Sequence, residues 1–203
     1  MIVGAVVLAA GKSERMGQNK LLLPLGEKLL IDQVLDSLAA AGVNEQVVVL
    51  GHDLEKVIAS LKPRLGKVKI ALNVEYEKGM VSSFQTGLWV LSGIEAVFLI
   101  LGDEPILDPS LLQKMTQTME SNPETLIVSP IYRSKKGHPL LFRRQLFGEI
   151  LSLKEAQTIR DIVHAHADRL VTVEAPEWTT IDIDTPEDYA RIVELFKTGR
   201  QVN

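Results

Sequence analysis

The chain contains no cysteine. That excludes disulfides, thiolate metal sites and cysteine nucleophiles, and it suits a cytoplasmic location. There is no surplus of positive charge either. The 22 Lys and Arg stand against 26 Asp and Glu, a net charge of -4. No bulk field then draws the protein to nucleic acid or to an anionic membrane, and neither is expected as a partner. Any grip on a polyphosphate must come from local cations. No apolar run is long enough to cross a bilayer. The opening Met1-Ile-Val-Gly-Ala-Val-Val-Leu-Ala-Ala lacks a basic segment before it, and Lys12 and Glu14 end it early, which argues against a secretory core. Linkers, repeats and low-complexity segments are missing too. A length of 203 residues, 46% of them hydrophobic and 24% charged, suits one α/β domain over 1–203.

What is there centres on Leu8-Ala-Ala-Gly-Lys-Ser-Glu-Arg-Met-Gly-Gln-Asn-Lys20. It follows an apolar run, 2–8, that is short and β-branched enough for a buried strand. Gly11 and Gly17 are expected to make tight turns and to let a ligand approach the backbone. The amides of 9–13 can curl round an anion, with Lys12, Arg15 and Lys20 supplying charge. The spacing is not that of a P-loop, nor of a Gly-x-Gly-x-x-Gly dinucleotide fingerprint.

Periodicity predicts helices over 29–41, from Asp53 to about 65, from Ser82 or Ser83 to 91, over 109–122, 145–151 and 158–166, and a closing helix after Asp184. Strands are predicted over 45–50, 68–72, 96–101, 126–129, 140–142, 170–174 and 180–183. The alternation argues for a three-layer, doubly wound α/β fold, Rossmann-like, with a mostly parallel sheet and a mixed edge where the late strands shorten. Ligands in such sheets bind beyond the carboxyl ends of the strands, where the chemically loaded stretches fall.

Asp103 follows the apolar run 96–101 in a glycine turn, a place for a divalent-cation ligand or for a plain turn cap. In Ile181-Asp-Ile-Asp184-Thr-Pro, period two puts Asp182 and Asp184 on one face. Asp184 is either a metal ligand beside Asp103 or the cap of the closing helix, and one carboxylate cannot fully serve both. The stretch 73–88 joins Gly79 to small hydroxyls, which suits a base edge or simply a helix start capped by Ser82. The basic stretch 132–137 reads as an anion-greeting loop or a solvated hairpin tip. His52, His164 and His166 form no metal pattern and read as structural or solvated. Trp89 reads as core.

Leu8-Ala-Ala-Gly-x-Ser-x-Arg-Met-Gly-x-x-Lys20 resembles the signature of nucleotidyltransferases that move a nucleoside monophosphate from an NTP to an acceptor. With Gly79-Met-Val-Ser-Ser83, Gly102-Asp-Glu-Pro105, Gly137-His-Pro139 and Asp182-Ile-Asp184, nearly the whole chain resembles the molybdenum cofactor cytidylyltransferase group, with its MobA-like NTP transferase domain of the nucleotide-diphospho-sugar transferase type. Gly-His-Pro is what points to this subgroup. The resemblance implies a Mg²⁺-dependent transfer of CMP from CTP to molybdopterin, a pterin phosphate, with a molybdenum hydroxylase as a possible client. It implies that Leu8, Ala9, Ala10, Gly11, Lys12 and Ser13 approach the nucleotide and that Arg15 and Lys20 hold the triphosphate. Gly79 and Ser83 read the pyrimidine, Asp103 and Asp184 (or Asp182) hold Mg²⁺, and Gly137, His138 and Pro139 face the acceptor. Lys20, Arg15 and Asp103 are the expected catalytic residues. Two departures put the acceptor in doubt: Glu104 stands where the group often has glutamine, and 153–159 lacks the usual Gly-Asp-x-Gly-Ala-Arg run, although Arg160 matches its arginine. The alternatives are another NTP, a sugar or alditol phosphate acceptor, or a non-catalytic accessory protein.

Overall fold

The computed structural model describes residues 1–104, 106–180 and 183–197. In chain order the strands and helices are β1 (Val3–Ala9), β2 (Pro24–Leu25), β3 (Lys28–Leu29), α1 (Leu30–Ala40), β4 (Glu45–Leu50), α2 (Leu54–Leu61), β5 (Lys69–Leu72) and α3 (Met80–Val90). There follow β6 (Ala96–Leu101), α4 (Pro109–Ser121), β7 (Ile127–Tyr132), β8 (Lys135–Lys136), β9 (Leu140–Arg143), α5 (Phe147–Leu151), α6 (Ile159–Ala165), β10 (Leu170–Glu174) and α7 (Pro186–Lys197).

The main sheet runs in the order β10-β7-β9-β6-β1-β4-β5, with β8 paired to β7. β1 is parallel to both β4 and β6, β4 to β5, and β7 to β10. β9 alone along this path is antiparallel, to β6 on one side and β7 on the other. The chain winds outward through β4 and β5, then returns through α3 to place β6 on the opposite flank of β1. Strand order therefore reverses at β1, and a crevice opens beyond the carboxyl ends of β1 and β6.

β1, β4 and β6 are buried almost throughout, which is why β1 and β6 read as continuous apolar runs and β4 is apolar from Val47 to Leu50. Two apolar clusters cover the two faces of the sheet. One joins Val7, Val48 and Ile100 to α1 and α4 through Ile31, Leu35, Leu112 and Met115. The other joins Val6, Val49 and Leu99 to α3, α5 and α6 through Phe84, Ile150 and Ile162. A third, smaller cluster packs Met16, Leu23 and Leu25 against Ile183 and Ile192, and so fastens α7 beside the loop that follows β1.

Several expectations shift in detail. β7 extends three residues past the expected 129, through Pro130 to Tyr132. α3 begins at Met80, ahead of the expected serine cap, with Gly79 at φ 99° in the capping position. Thr180, expected in a strand, lies in a short helical turn, Glu177–Thr180; the rest of that expected strand includes 181 and 182, outside the described residues. Trp89 is 75% exposed, not core, because it lies on the face of α3 away from the sheet. Arg133 and Ser134 both take positive φ, forming the tight turn of the β7–β8 hairpin.

Gly87 sets how closely α3 lies on the sheet. A Cβ there would sit 2.3 Å from Val6 Cγ1 and 2.8 Å from Val49 Cγ2. Gly87→Ala gains about 1 kcal/mol of helix propensity and loses about 1–3 kcal/mol to overpacking. The valine methyls are stiff, so the loss dominates. We expect a net destabilisation of up to about 2 kcal/mol, read as a lower urea midpoint at unchanged slope.

Candidate active site

The loop after β1 leaves the sheet at its buried end and turns back on itself. The left-handed turns fall at Ser13, φ 51°, and Gly17, φ 65°. Gly11, expected to make one of them, keeps a negative or extended φ among the described glycines. Met16 N–H donates to Ser13 O at 3.0 Å and Gly17 N–H to Glu14 O at 3.2 Å, so 13–17 is a compact knuckle. Lys20 starts the next turn, with Asn19 Oδ1 accepting from Leu21 N–H at 3.1 Å.

Across the crevice, Gly102 lets β6 cross close to β1. Its N–H donates to Leu8 O at 3.0 Å, and a Cβ would lie 2.5 Å from that same oxygen. Asp103 is thereby aimed at the loop. The Lys20 ammonium bonds the Asp103 carboxylate, donates to Ile183 O at 2.9 Å and approaches Asp184 Oδ1 at 3.4 Å. Arg15 bonds the other oxygen of Asp184, Oδ2, at 2.8 Å. The three groups are only partly exposed: the side chains of Lys20, Asp103 and Asp184 are 16%, 21% and 36% accessible.

The two readings of Asp184 separate cleanly. Thr185 and Asp188 form a reciprocal cap for α7: Asp188 N–H donates to Thr185 Oγ1 at 3.2 Å, and Asp188 Oδ2 accepts from Thr185 N–H at 2.9 Å. Asp188 also accepts from the Asp184 backbone N–H at 3.2 Å. The Asp184 carboxylate is therefore released from capping and turned to the cations. Asp182 lies outside the described residues.

A cleft of about 480 Å³ is lined by Leu8, Ala9, Ala10, Gly11, Lys12, Ser13, Arg15, Lys20, Gly79, Ser83, Asp103 and Asp184. All the residues expected to hold nucleotide and metal thus face one space. Sequence reasoning passed over Tyr76 and Met80, which also line it. An aromatic in the polar stretch 73–79 was the available signal. Lys12 reaches across the cleft to Glu77 Oε1 at 2.7 Å, with its ammonium 6.0 Å from the Tyr76 ring centre. The Glu77 hydrogen bond raises the Lys12 ammonium above its ordinary value, and Lys12 holds the Glu77 carboxyl below its own.

A second cavity, about 760 Å³, adjoins the first and shares Gly79 and Met80 with it. Gly137 and His138 line it; Pro139 does not. Lys78, Lys136 and Arg160 bring positive charge to its rim, against one acid, Glu155, and His164 lines it as well. His164, read as structural or solvated, is exposed at the edge of this cavity. His138 Nδ1 lies 3.6 Å from Oε1 of the buried Glu104.

The donor chemistry suits a hard divalent cation. Two carboxylates converge on one point, which the Lys20 ammonium already bridges, and both are oxygen ligands. A magnesium-type ion takes one or two protein carboxylates and completes its shell with water and phosphate oxygens. No helix among the described residues is long and apolar enough to cross a membrane.

A glycine-bearing, cationic loop at a topological switch point, facing a pair of acids, is the arrangement of a phosphate-handling α/β domain. The comparisons carry this further. The chain belongs to the family described as MobA-like NTP transferase domain, matched over residues 5–170. It is 23% identical over 197 residues to the molybdenum cofactor cytidylyltransferase of Escherichia coli strain K12, covering 96% of this chain and 97% of that protein. Among solved structures, a manganese complex of Rv0371c from Mycobacterium tuberculosis H37Rv aligns with TM-score 0.77 and 27% identity, covering 96% of this chain and 99% of that one. A nucleotidyl transferase from Methanothermobacter aligns with TM-score 0.84 and 25% identity, covering 98% and 99%. The chain spans 31% of the length of the first curated bifunctional GlmU relative it matches, from Acaryochloris marina.

The cap at α7 has a pH signature. The Thr185 hydroxyl holds the Asp188 carboxyl below its ordinary value of 3.8. A folded-state value below the unfolded one contributes stability that is present above about pH 4 and is lost as the pH falls through the depressed value. We expect Asp188→Asn to lower the melting temperature at neutral pH and to flatten its fall between about pH 4 and pH 2 relative to wild type. A pH series of thermal melts checks both.

Proposed function

We propose that the protein transfers CMP from CTP to molybdopterin, a pterin phosphate, and releases pyrophosphate. The observation that carries the reading is the Lys20 ammonium bridging Asp103 and Asp184 at the cleft floor, beside a second cavity with a cationic rim. The near full-length likeness to a molybdenum cofactor cytidylyltransferase supports the acceptor, as does the Gly137-His-Pro139 turn.

The nucleoside triphosphate lies along the first cleft. The backbone of Leu8, Ala9, Ala10 and Gly11 approaches it, and Lys12 and Ser13 turn toward its phosphates. Arg15 and Lys20 offset charge on the transferring group and on the leaving pyrophosphate. Gly79 and Ser83 meet the base. Gly137 and His138 border the acceptor, which is already anionic, so no general base is needed to form the nucleophile. An acceptor phosphate oxygen attacks the α-phosphorus in line. The new P–O bond forms as the bond to the β-phosphate oxygen breaks, and pyrophosphate carries away that electron pair. Asp103 and Asp184 would hold Mg²⁺, which would supply Lewis-acid stabilisation of phosphoryl oxygens.

The test is pyrophosphate release with Mg²⁺ and each of the four NTPs in turn, with molybdopterin or a sugar phosphate as acceptor. Release with CTP alone is the expected result. Release with GTP instead overturns the base assignment and keeps the chemistry; release only with a sugar phosphate overturns the acceptor. Lys20→Ala is expected to keep the fold and lose about 10²–10³-fold in kcat, some 2.7–4 kcal/mol, as for other preorganised charge partners. Asp103→Ala is expected to fold and to lose turnover as well. Wild-type turnover in either variant removes that residue from the mechanism.

A further inference from the structure

Asn73 follows β5 and is 4% exposed. Its backbone N–H donates to Leu50 O at 2.8 Å, which registers it against the end of β4. Its side-chain amide is fully engaged. Oδ1 accepts from Glu75 N–H at 2.9 Å, while Nδ2 donates to Ser82 Oγ at 3.0 Å and to Ser83 Oγ at 2.9 Å. Because a backbone N–H can only donate, Glu75 settles which end of the amide carries the oxygen. The two amide hydrogens then go one to each serine.

That directionality propagates. Ser82 receives one amide hydrogen and donates its own to backbone oxygen, Gly79 O at 2.9 Å or Glu75 O at 3.2 Å. Ser83 receives the other. Its hydroxyl hydrogen finds no acceptor among the described residues. Yet Ser83 is 4% exposed and lies in the wall of the cleft that also contains the loop after β1. A buried hydroxyl with one direction already spent has an unspent donor, and the open direction is toward ligand.

We propose that Asn73 is a positioning residue for nucleobase selection: by donating to Ser83 it keeps the Ser83 hydroxyl hydrogen free and aimed away from itself, so that the cleft favours a base presenting a carbonyl oxygen or an unprotonated ring nitrogen at that point. Cytosine offers both, O2 and N3, on one edge. The inference rests on the reading of this cleft as the nucleotide site and adds how the base is chosen. It also explains why three polar side chains cluster beneath α3 where apolar packing would otherwise serve.

The experiment reverses the hydrogen-bond direction without changing shape. In Asn73→Asp, the Glu75 N–H keeps its acceptor, but both serines must now donate to the carboxylate. Ser83 then shows lone pairs to the base. Affinities for CTP and for ribose 5-triphosphate, which lacks a base, are measured with Mg²⁺ by calorimetry in wild type, N73D, S83A and the double variant. N73D is expected to weaken CTP by about tenfold to a hundredfold and to leave ribose 5-triphosphate within about twofold. The double variant is expected to match S83A, since direction no longer matters once the hydroxyl is gone. Equal losses for both ligands overturn the inference, as do additive losses in the double variant. So does a wild type that binds CTP no better than ribose 5-triphosphate, which leaves the triphosphate grip standing. A wild type that binds neither overturns the nucleotide site itself and the inference with it. If N73D does not fold, Asn73→Ala, which removes the amide without adding charge, goes through the same cycle. It is expected to show a smaller loss with the same non-additivity, and additivity there overturns the inference equally.

Discussion

One ammonium group, Lys20 Nζ, stands between the carboxylates of Asp103 and Asp184 and against the carbonyl of Ile183. Two acids brought this close repel unless a cation lies between them, and partial burial strengthens that repulsion. The lysine therefore does more than fill space. It joins three segments that the chain order keeps far apart: the loop after β1, the turn after β6 and the residues before α7. Arg15 adds a second cation on the outer oxygen of Asp184. The acid pair is held assembled, and its position at the cleft floor follows.

The rest of the fold supplies the frame for that contact. Strand order reverses at β1, so the ends of β1 and β6 open a crevice instead of being covered by a crossover. Gly102 allows the two strand ends to approach until an amide meets Leu8 O. Gly87 allows α3 to lie flat on β1 and β4, which brings Ser83 to the wall of the cleft. The small cluster around Leu25, Ile183 and Ile192 then pins α7 beside the loop. Loss of close packing at any of these points would shift a charged or hydroxyl group by a fraction of an ångström, enough to matter for phosphoryl transfer.

Much of this was legible in the sequence. β4 and β6 coincide with the predicted 45–50 and 96–101, because β6 is an unbroken apolar run and β4 carries the β-branched run 47–49 between turn residues. The members of the loop after β1 and both acids were legible from residue type and from their place at strand ends. β7 was read too short because Pro130 looks like a strand end; its missing N–H is tolerated where Val173 of β10 and the β8 hairpin flank it. Trp89 was misread as core because a tryptophan in a helix normally is, and nothing local says which face of α3 meets the sheet. The cap of α7 was read as one of two uses of Asp184, and Thr185, which takes it, was not read as a cap, because its partner Asp188 lies a turn further on. Tyr76 was passed over, and Lys136 and Arg160, each singled out separately, were not joined to Lys78 in one cavity, because their neighbours in space are distant in the chain.

The sequence by itself determined the alternation of strands and helices, the small, cationic character of the loop after β1, and which residues carry charge near strand ends. These depend on patterns spanning a few residues, where period and side-chain type are enough. Only the tertiary structure decided that Thr185 takes the cap and leaves Asp184 for Lys20, that β9 enters antiparallel between β6 and β7, and that Asn73 points its amide at two serines. Pairings such as Lys20 with Asp103 and Asp184 join positions 83 and 164 apart in the chain. Which donor meets which acceptor over such separations is set by strand order and packing, because hydrogen bonds and ion pairs are directional and short, and no local pattern encodes the distance between their ends.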